Sequence, residues 1–124
     1  MGNYNKRTIG TKYEEVAIKH LESKGYNIVA KNFRCKNGEI DIVAKEGRYL
    51  TFIEVKYRSN LKYGYPQEAI NTKKIRRITN TAKYYMLKNN ISFDTPCRFD
   101  VVAIQDKDIK LMKNAFELWF RYFI

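Results

Sequence analysis

Residues 38–58 read GEIDIVAKEGRYLTFIEVKYR, and this stretch decides the fold. Two runs rich in β-branched and aromatic residues, 39–45 and 49–57, flank Glu46, Gly47 and Arg48. Such a pattern is a β-hairpin. Gly47-Arg48 is a Gly-X pair suited to a type II′ turn, and closing on it makes paired residue numbers sum to 95. Asp41 then falls opposite Glu54. Alternation places Glu39, Asp41 and Val43 on one face of their strand, and Phe52, Glu54, Lys56 and Arg58 on one face of the other. Lys56 stands about 7 Å beyond Glu54 at the strand rise per residue.

Two carboxylates facing each other on a sheet repel. Their neighbours are Ile, Val and Phe, so the strands are expected to be buried, and two unpartnered like charges there are costly. Lysine and arginine can neutralise them, one carboxyl can be protonated, or a divalent cation can bind between them. A structural ion pair, Glu54–Lys56 or Asp41–Lys56, is the plain alternative, and spacing alone does not separate it from a metal site. Carboxylate oxygens suit Mg²⁺ or Mn²⁺, and an adjacent lysine suits phosphodiester hydrolysis. Glu14 favours the metal. It precedes Ala17, Ile18 and Leu21 by three, four and seven residues, on or beside a buried helical stripe. Glu15 pairs naturally with Lys19 and reads as solvated.

Outward from the hairpin, residues 10–24 show helical spacing through Tyr13, Val16, Ala17, His20 and Leu21, with Gly25 as the stop. Residues 26–33 read as a strand, followed by a turn at Lys36-Asn37-Gly38. A polar loop over 59–65 leads to a long helix over 67–88, whose stripe is Ile70, Ile75, Ile78, Ala82, Tyr85 and Met86. Residues 98–104 are a fourth strand and 109–112 a weaker fifth. The order α-β-β-β-α-β-β makes an α/β domain with a mixed sheet flanked by helices. Residues 1–9 read as a flexible basic arm and 10–124 as one domain, which is what 124 residues allow.

The balance of 24 Lys+Arg against 13 Asp+Glu gives +11, which favours a polyanionic partner, nucleic acid before membrane. Charge alone identifies no chemistry. No segment approaches the roughly 20 apolar residues that span a bilayer, and residues 1–10 lack the apolar core of a signal peptide. A cytoplasmic protein with no membrane contact is expected, with Cys35 and Cys97 as free thiols. One histidine and two distant cysteines do not make a structural zinc site.

Together these residues are recognisable. GTKYEEVA at 10–17, Gly25-Tyr26, Asn32-Phe33-Arg34, GEIDIV at 38–43, FIEVKYR at 52–58, Gly64-Tyr65-Pro66, Lys74 and RFDVV at 98–102 resemble the YraN family of bacterial proteins. The match runs from about Gly10 to Phe116 in the family's order. The resemblance implies a restriction-endonuclease-like three-layer core, a small member of the PD-(D/E)XK nuclease superfamily similar to archaeal Holliday junction resolvases. It implies that Glu14 is the helical acid, Asp41 and Glu54 the metal ligands with Glu14 beside them, and Lys56 the catalytic lysine. None of these positions is substituted.

The expected activity is Mg²⁺- or Mn²⁺-dependent endonucleolytic cleavage of DNA, including branched or junction DNA. A non-catalytic nucleic-acid-binding module on the same basic surface is the rival. Lys74 and Arg77, one turn apart, are candidate phosphate contacts, widened by Lys73 and Arg76; a solvated helix face is as plausible for any one of them. Arg58 either holds a phosphate or pairs with Glu39. Lys62, Tyr63 and Tyr65 are candidates to clamp a strand, with packing the default. Arg98 and Asp100 read as a structural ion pair. The aromatic tail over 115–124 fits core packing or self-association, a homodimer being the simplest case.

Overall fold

The chain runs α1 (Gly2–Ser23), β1 (Asn27–Cys35), β2 (Gly38–Glu46), β3 (Tyr49–Arg58), α2 (Thr72–Lys88), β4 (Cys97–Gln105) and β5 (Asp108–Phe116). The structure, a computed structural model, describes residues 2–58 and 72–116, with side chains for 12–57 and 72–115. The five strands form one sheet in chain order. Neighbours are antiparallel except β3 and β4, which are parallel. A parallel pair needs a long crossover, and α2 lies within it. The expected element order and mixed sheet are those observed. α1 begins at Gly2 rather than near Gly10. The expected start of the second helix, 67–71, lies outside the described residues, as do the loop over 59–65 and the tail beyond 116.

Both faces of the sheet are covered. Ala17 and Leu21 of α1 pack on Ile42, Ala44, Ile53, Val102 and Ile104. Ile78, Ala82, Tyr85 and Met86 of α2 pack on Val43, Leu50, Phe52, Phe99 and Val101. That is the three-layer core. Each helix ends in a Schellman motif. At α1, Tyr26 N–H donates to Leu21 O (3.0 Å) and Gly25 N–H to Glu22 O (3.1 Å), with Gly25 at φ 93°. At α2, Ile91 N–H donates to Met86 O (2.8 Å) and Asn90 N–H to Leu87 O (3.3 Å), with Asn90 at φ 56°. Asparagine does at α2 what glycine does at α1.

The hairpin closes as its sequence requires. Glu46 pairs with Tyr49 and Ile42 with Ile53, a constant sum of 95, and Gly47 takes the positive φ (60°) that a type II′ turn needs at its first central position. One expectation fails. Strict alternation does not hold across Asp41. Ile42 and Ala44 pack under α1, whereas Ile40 packs under α2 together with Val43. The break lies beside Asn32 on β1, between the pairs Lys31–Ile42 and Phe33–Ile40. Asn32 has φ 53°, a left-handed conformation that asparagine tolerates and that re-aims the strand. Phe33 accordingly joins Ile40 under α2.

Candidate active site

The β2–β3 ladder ends at Ile42 and Ile53, one step short of Asp41 and Glu54. Beyond that step the Asp41 carboxylate takes over a backbone role, accepting the Val55 N–H at 2.8 Å. Burial pushes the Asp41 carboxyl up to about 6; the Val55 bond opposes this, and the charges of Glu54, Glu39 and Glu14 add to it. An acid held near neutrality by burial and neighbouring carboxylates marks a site that gains from a cation.

Glu54 reaches toward α2. Its Oε1 accepts from Lys56 Nζ at 2.9 Å and from Lys74 Nζ at 2.8 Å. Its Oε2 is buried, with no hydrogen-bond partner among the described residues. The Glu54–Lys56 pair is therefore present, as the plain reading of the spacing required. Lys56 is raised overall: burial pulls it down, but its bonds to Lys74 and Glu54 and the charges of Glu54 and Asp41 outweigh that. Lys74 is lowered, chiefly by burial and further by Lys56, against the pull of Glu54.

Glu14 reaches the same region from α1. Burial raises its carboxyl, Lys31 and the Asn32 side chain pull it back, and Glu39 raises it again. Glu39 itself pairs with Arg34 at 3.1 Å on the surface. Its bearing on both Glu14 and Asp41 did not emerge from the sequence. The available signal was its place two residues before Asp41, and the break in alternation obscured it.

Asp41 and Glu54 supply oxygen ligands only, one carrying a buried, unpartnered oxygen, and this donor set fits a hard divalent cation held by one or two carboxylates plus water. Among the described residues, no three Asp, Glu, His or Cys side chains converge closely enough to hold an ion by themselves. Glu14 thus stands beside the carboxylate pair rather than closing a three-ligand shell with it.

Of the expected phosphate contacts, Lys73 and Arg77 are exposed on α2. The Arg77 stem lies over Gly38, where an added Cβ would meet Arg77 Cγ at 3.3 Å and Thr81 Oγ1 at 3.2 Å. Gly38, at φ 152°, is what lets β2 approach α2 so closely. Lys74 points into the site rather than along the surface. The Arg58 side chain, and Lys62, Tyr63 and Tyr65, lie outside the described residues.

Arg98 and Asp100 form the structural pair expected of them. Asp100, fully buried, accepts from Arg98 Nε (2.9 Å), Tyr26 Oη (2.6 Å) and Asn114 N (2.9 Å). Arg98 Nη2 also donates to Glu46 at 2.9 Å. Both cysteines are free, and burial pushes the Cys97 thiol up to about 12, far from a nucleophile. No helix among the described residues is long and apolar enough to cross a membrane.

A mixed five-stranded sheet between two helix layers defines a three-layer α/β fold. Within that class, the chain belongs to the uncharacterised protein family UPF0102, the YraN family, whose model matches residues 13–104. It is 54% identical over 115 residues to a UPF0102 protein of Lachnoclostridium phytofermentans, covering 93% of this chain and 98% of that one. A UPF0102 protein of Clostridioides difficile is 47% identical over 118 residues (94% and 100%), and one of Persephonella marina 40% over 109 (88% and 93%). The matched span includes Glu14, Asp41, Glu54, Lys56 and Lys74.

Proposed function

We propose that this protein is a Mg²⁺- or Mn²⁺-dependent endonuclease that hydrolyses DNA phosphodiester bonds, with branched or junction DNA among its substrates. The observation that carries the reading is the opening of the β2–β3 ladder. It leaves Asp41 with a carboxyl pushed up to about 6 next to a Glu54 whose Oε2 is buried and unpartnered, with Lys56 alongside. Asp41 and Glu54 would hold the metal, with Glu14 supporting them from α1. The metal would supply Lewis acidity toward the phosphoryl oxygen and ease deprotonation of water.

The chain's own residues do the rest. Lys56 Nζ, now on Glu54, is placed to donate to the attacking water or to a non-bridging phosphate oxygen, where charge grows in the transition state. Asp41 stays oriented by the Val55 N–H. Lys73 and Arg77 on the exposed side of α2, with Arg58, would follow backbone phosphates, supported by the net charge of +11. The double pairing of Glu54 Oε1 favours a second reading, a nucleic-acid-binding module that does not cleave.

The deciding experiment is a cleavage assay on linear, single-stranded, flap and four-way junction DNA with Mg²⁺ or Mn²⁺. Cleavage lost in Asp41→Asn, in Lys56→Ala and on chelation is the expected result. Salt-sensitive binding that survives Asp41→Asn, with no cleavage by the unmodified protein, would establish the second reading instead.

A further inference from the structure

Two ammonium groups share one carboxylate oxygen: Lys56 and Lys74 lie 2.9 and 2.8 Å from Glu54 Oε1. Lys56 alone balances the Glu54 charge. The second ammonium comes from another layer of the fold, and both lysines are mostly withdrawn from solvent, with side chains 21% and 26% exposed. Placing like charges together there is costly unless something recovers the cost.

We infer that Lys74 is a built-in counter-cation that competes with the divalent metal for Glu54 and is displaced outward when metal and phosphate arrive together. This deepens the nuclease reading and rests on it. A carboxylate oxygen has about two lone-pair sites, and the two lysines fill those of Oε1. Only Oε2 remains open, and a divalent ion there still faces two ammonium charges. Lys74 is the one to leave. Lys56 is tied to the strand that carries Glu54, two residues away, whereas Lys74 is on α2 at the end of a flexible four-carbon stem. Once released, the Lys74 ammonium lies one turn from Arg77 on the same helix, where it can meet a phosphate.

The test is Mn²⁺ binding without DNA, followed by titration calorimetry, for the unmodified protein, Lys74→Met and Lys74→Arg. Circular dichroism melting checks the fold of each variant. Removing a competing charge of this kind should tighten Mn²⁺ binding in Lys74→Met by roughly 3- to 10-fold, while Lys74→Arg keeps the original affinity. A non-cleavable duplex should tighten Mn²⁺ binding to the unmodified protein and leave Lys74→Met nearly unchanged. Equal or weaker Mn²⁺ binding by a folded Lys74→Met overturns the latch but leaves the metal site standing. A gain shared equally by Lys74→Arg also overturns it, because the charge would then not be the cause. Mn²⁺ bound by neither protein overturns the metal reading and the latch together.

Discussion

The Asp41 carboxylate accepts the Val55 N–H at 2.8 Å, across the point where β2 and β3 cease to pair. A side chain thus replaces the carbonyl that a continued ladder would have offered. The replacement satisfies a backbone donor that would otherwise be orphaned, and it fixes one carboxyl oxygen while leaving the other for chemistry. If Asp41 holds the proposed metal, stability and function meet in this one group, and their demands conflict.

That conflict is measurable. Burial pushes the Asp41 carboxyl from its ordinary 3.8 up to about 6, so the folded state holds the extra proton between those values. Its contribution to stability is therefore present below about pH 4, falls as pH rises toward 6, and is gone above. Asp41→Asn keeps an acceptor for Val55 and removes the charge. Its expected effect is a gain of about 3 kcal/mol at pH 7.5 that vanishes near pH 4, read by urea denaturation across pH, together with loss of cleavage. A variant less stable than the parent at pH 7.5 contradicts the burial cost assigned to Asp41.

Lys56→Ala removes one of two ammonium groups on Glu54 but leaves Lys74 in place, so the fold should survive with a loss of about 1 kcal/mol or less. Cleavage should fall by at least about a hundredfold, the size of one lost transition-state donor. The fall is expected in the rate at saturating DNA rather than in DNA affinity. Single-turnover kinetics separate the two, and a loss confined to affinity would make Lys56 a phosphate contact.

Asn32 carries the left-handed turn that re-aims β1 and β2, and its side chain also pulls down the Glu14 carboxyl. Asn32→Ala should cost roughly 1–2 kcal/mol, the strain of an ordinary side chain at positive φ. Asn32→Gly relieves that strain but removes the side chain near Glu14. It is expected to keep near-parental stability while slowing cleavage. Parallel denaturation and kinetics on both variants distinguish backbone strain from side-chain support.

Asp100→Ala strands the Arg98 guanidinium, the Tyr26 hydroxyl and the Asn114 N–H around a fully buried gap. A loss of about 3–5 kcal/mol is expected, as for a broken buried ion pair. Arg98→Met combined with Asp100→Ala should cost less than the sum of the two single changes, because the pair acts as one unit. Additive losses would show that the two residues contribute independently.

The hairpin register and its turn were legible because Gly47-Arg48 and the apolar runs around it fit only one closure. The buried stripe of α2, the glycine stop of α1 and the Arg98–Asp100 pair followed from periodicity and residue type in the same way. Those are short-range rules, set by backbone geometry and by which faces must be apolar. The sequence also brought Asp41, Glu54 and Lys56 onto one hairpin, and helical spacing set Glu14 on or beside a buried stripe. Tertiary structure decided the rest. Strict alternation was expected along β2, but the period breaks around Asp41, beside Asn32 on the neighbouring strand. The bond from Val55 to Asp41 exists only because the two strands part there. Lys74 read as a candidate phosphate contact on a basic helix, and the packing of α2 on the sheet turned it onto Glu54. A side chain's partner across two layers depends on how those layers dock, and no local pattern in the chain records that.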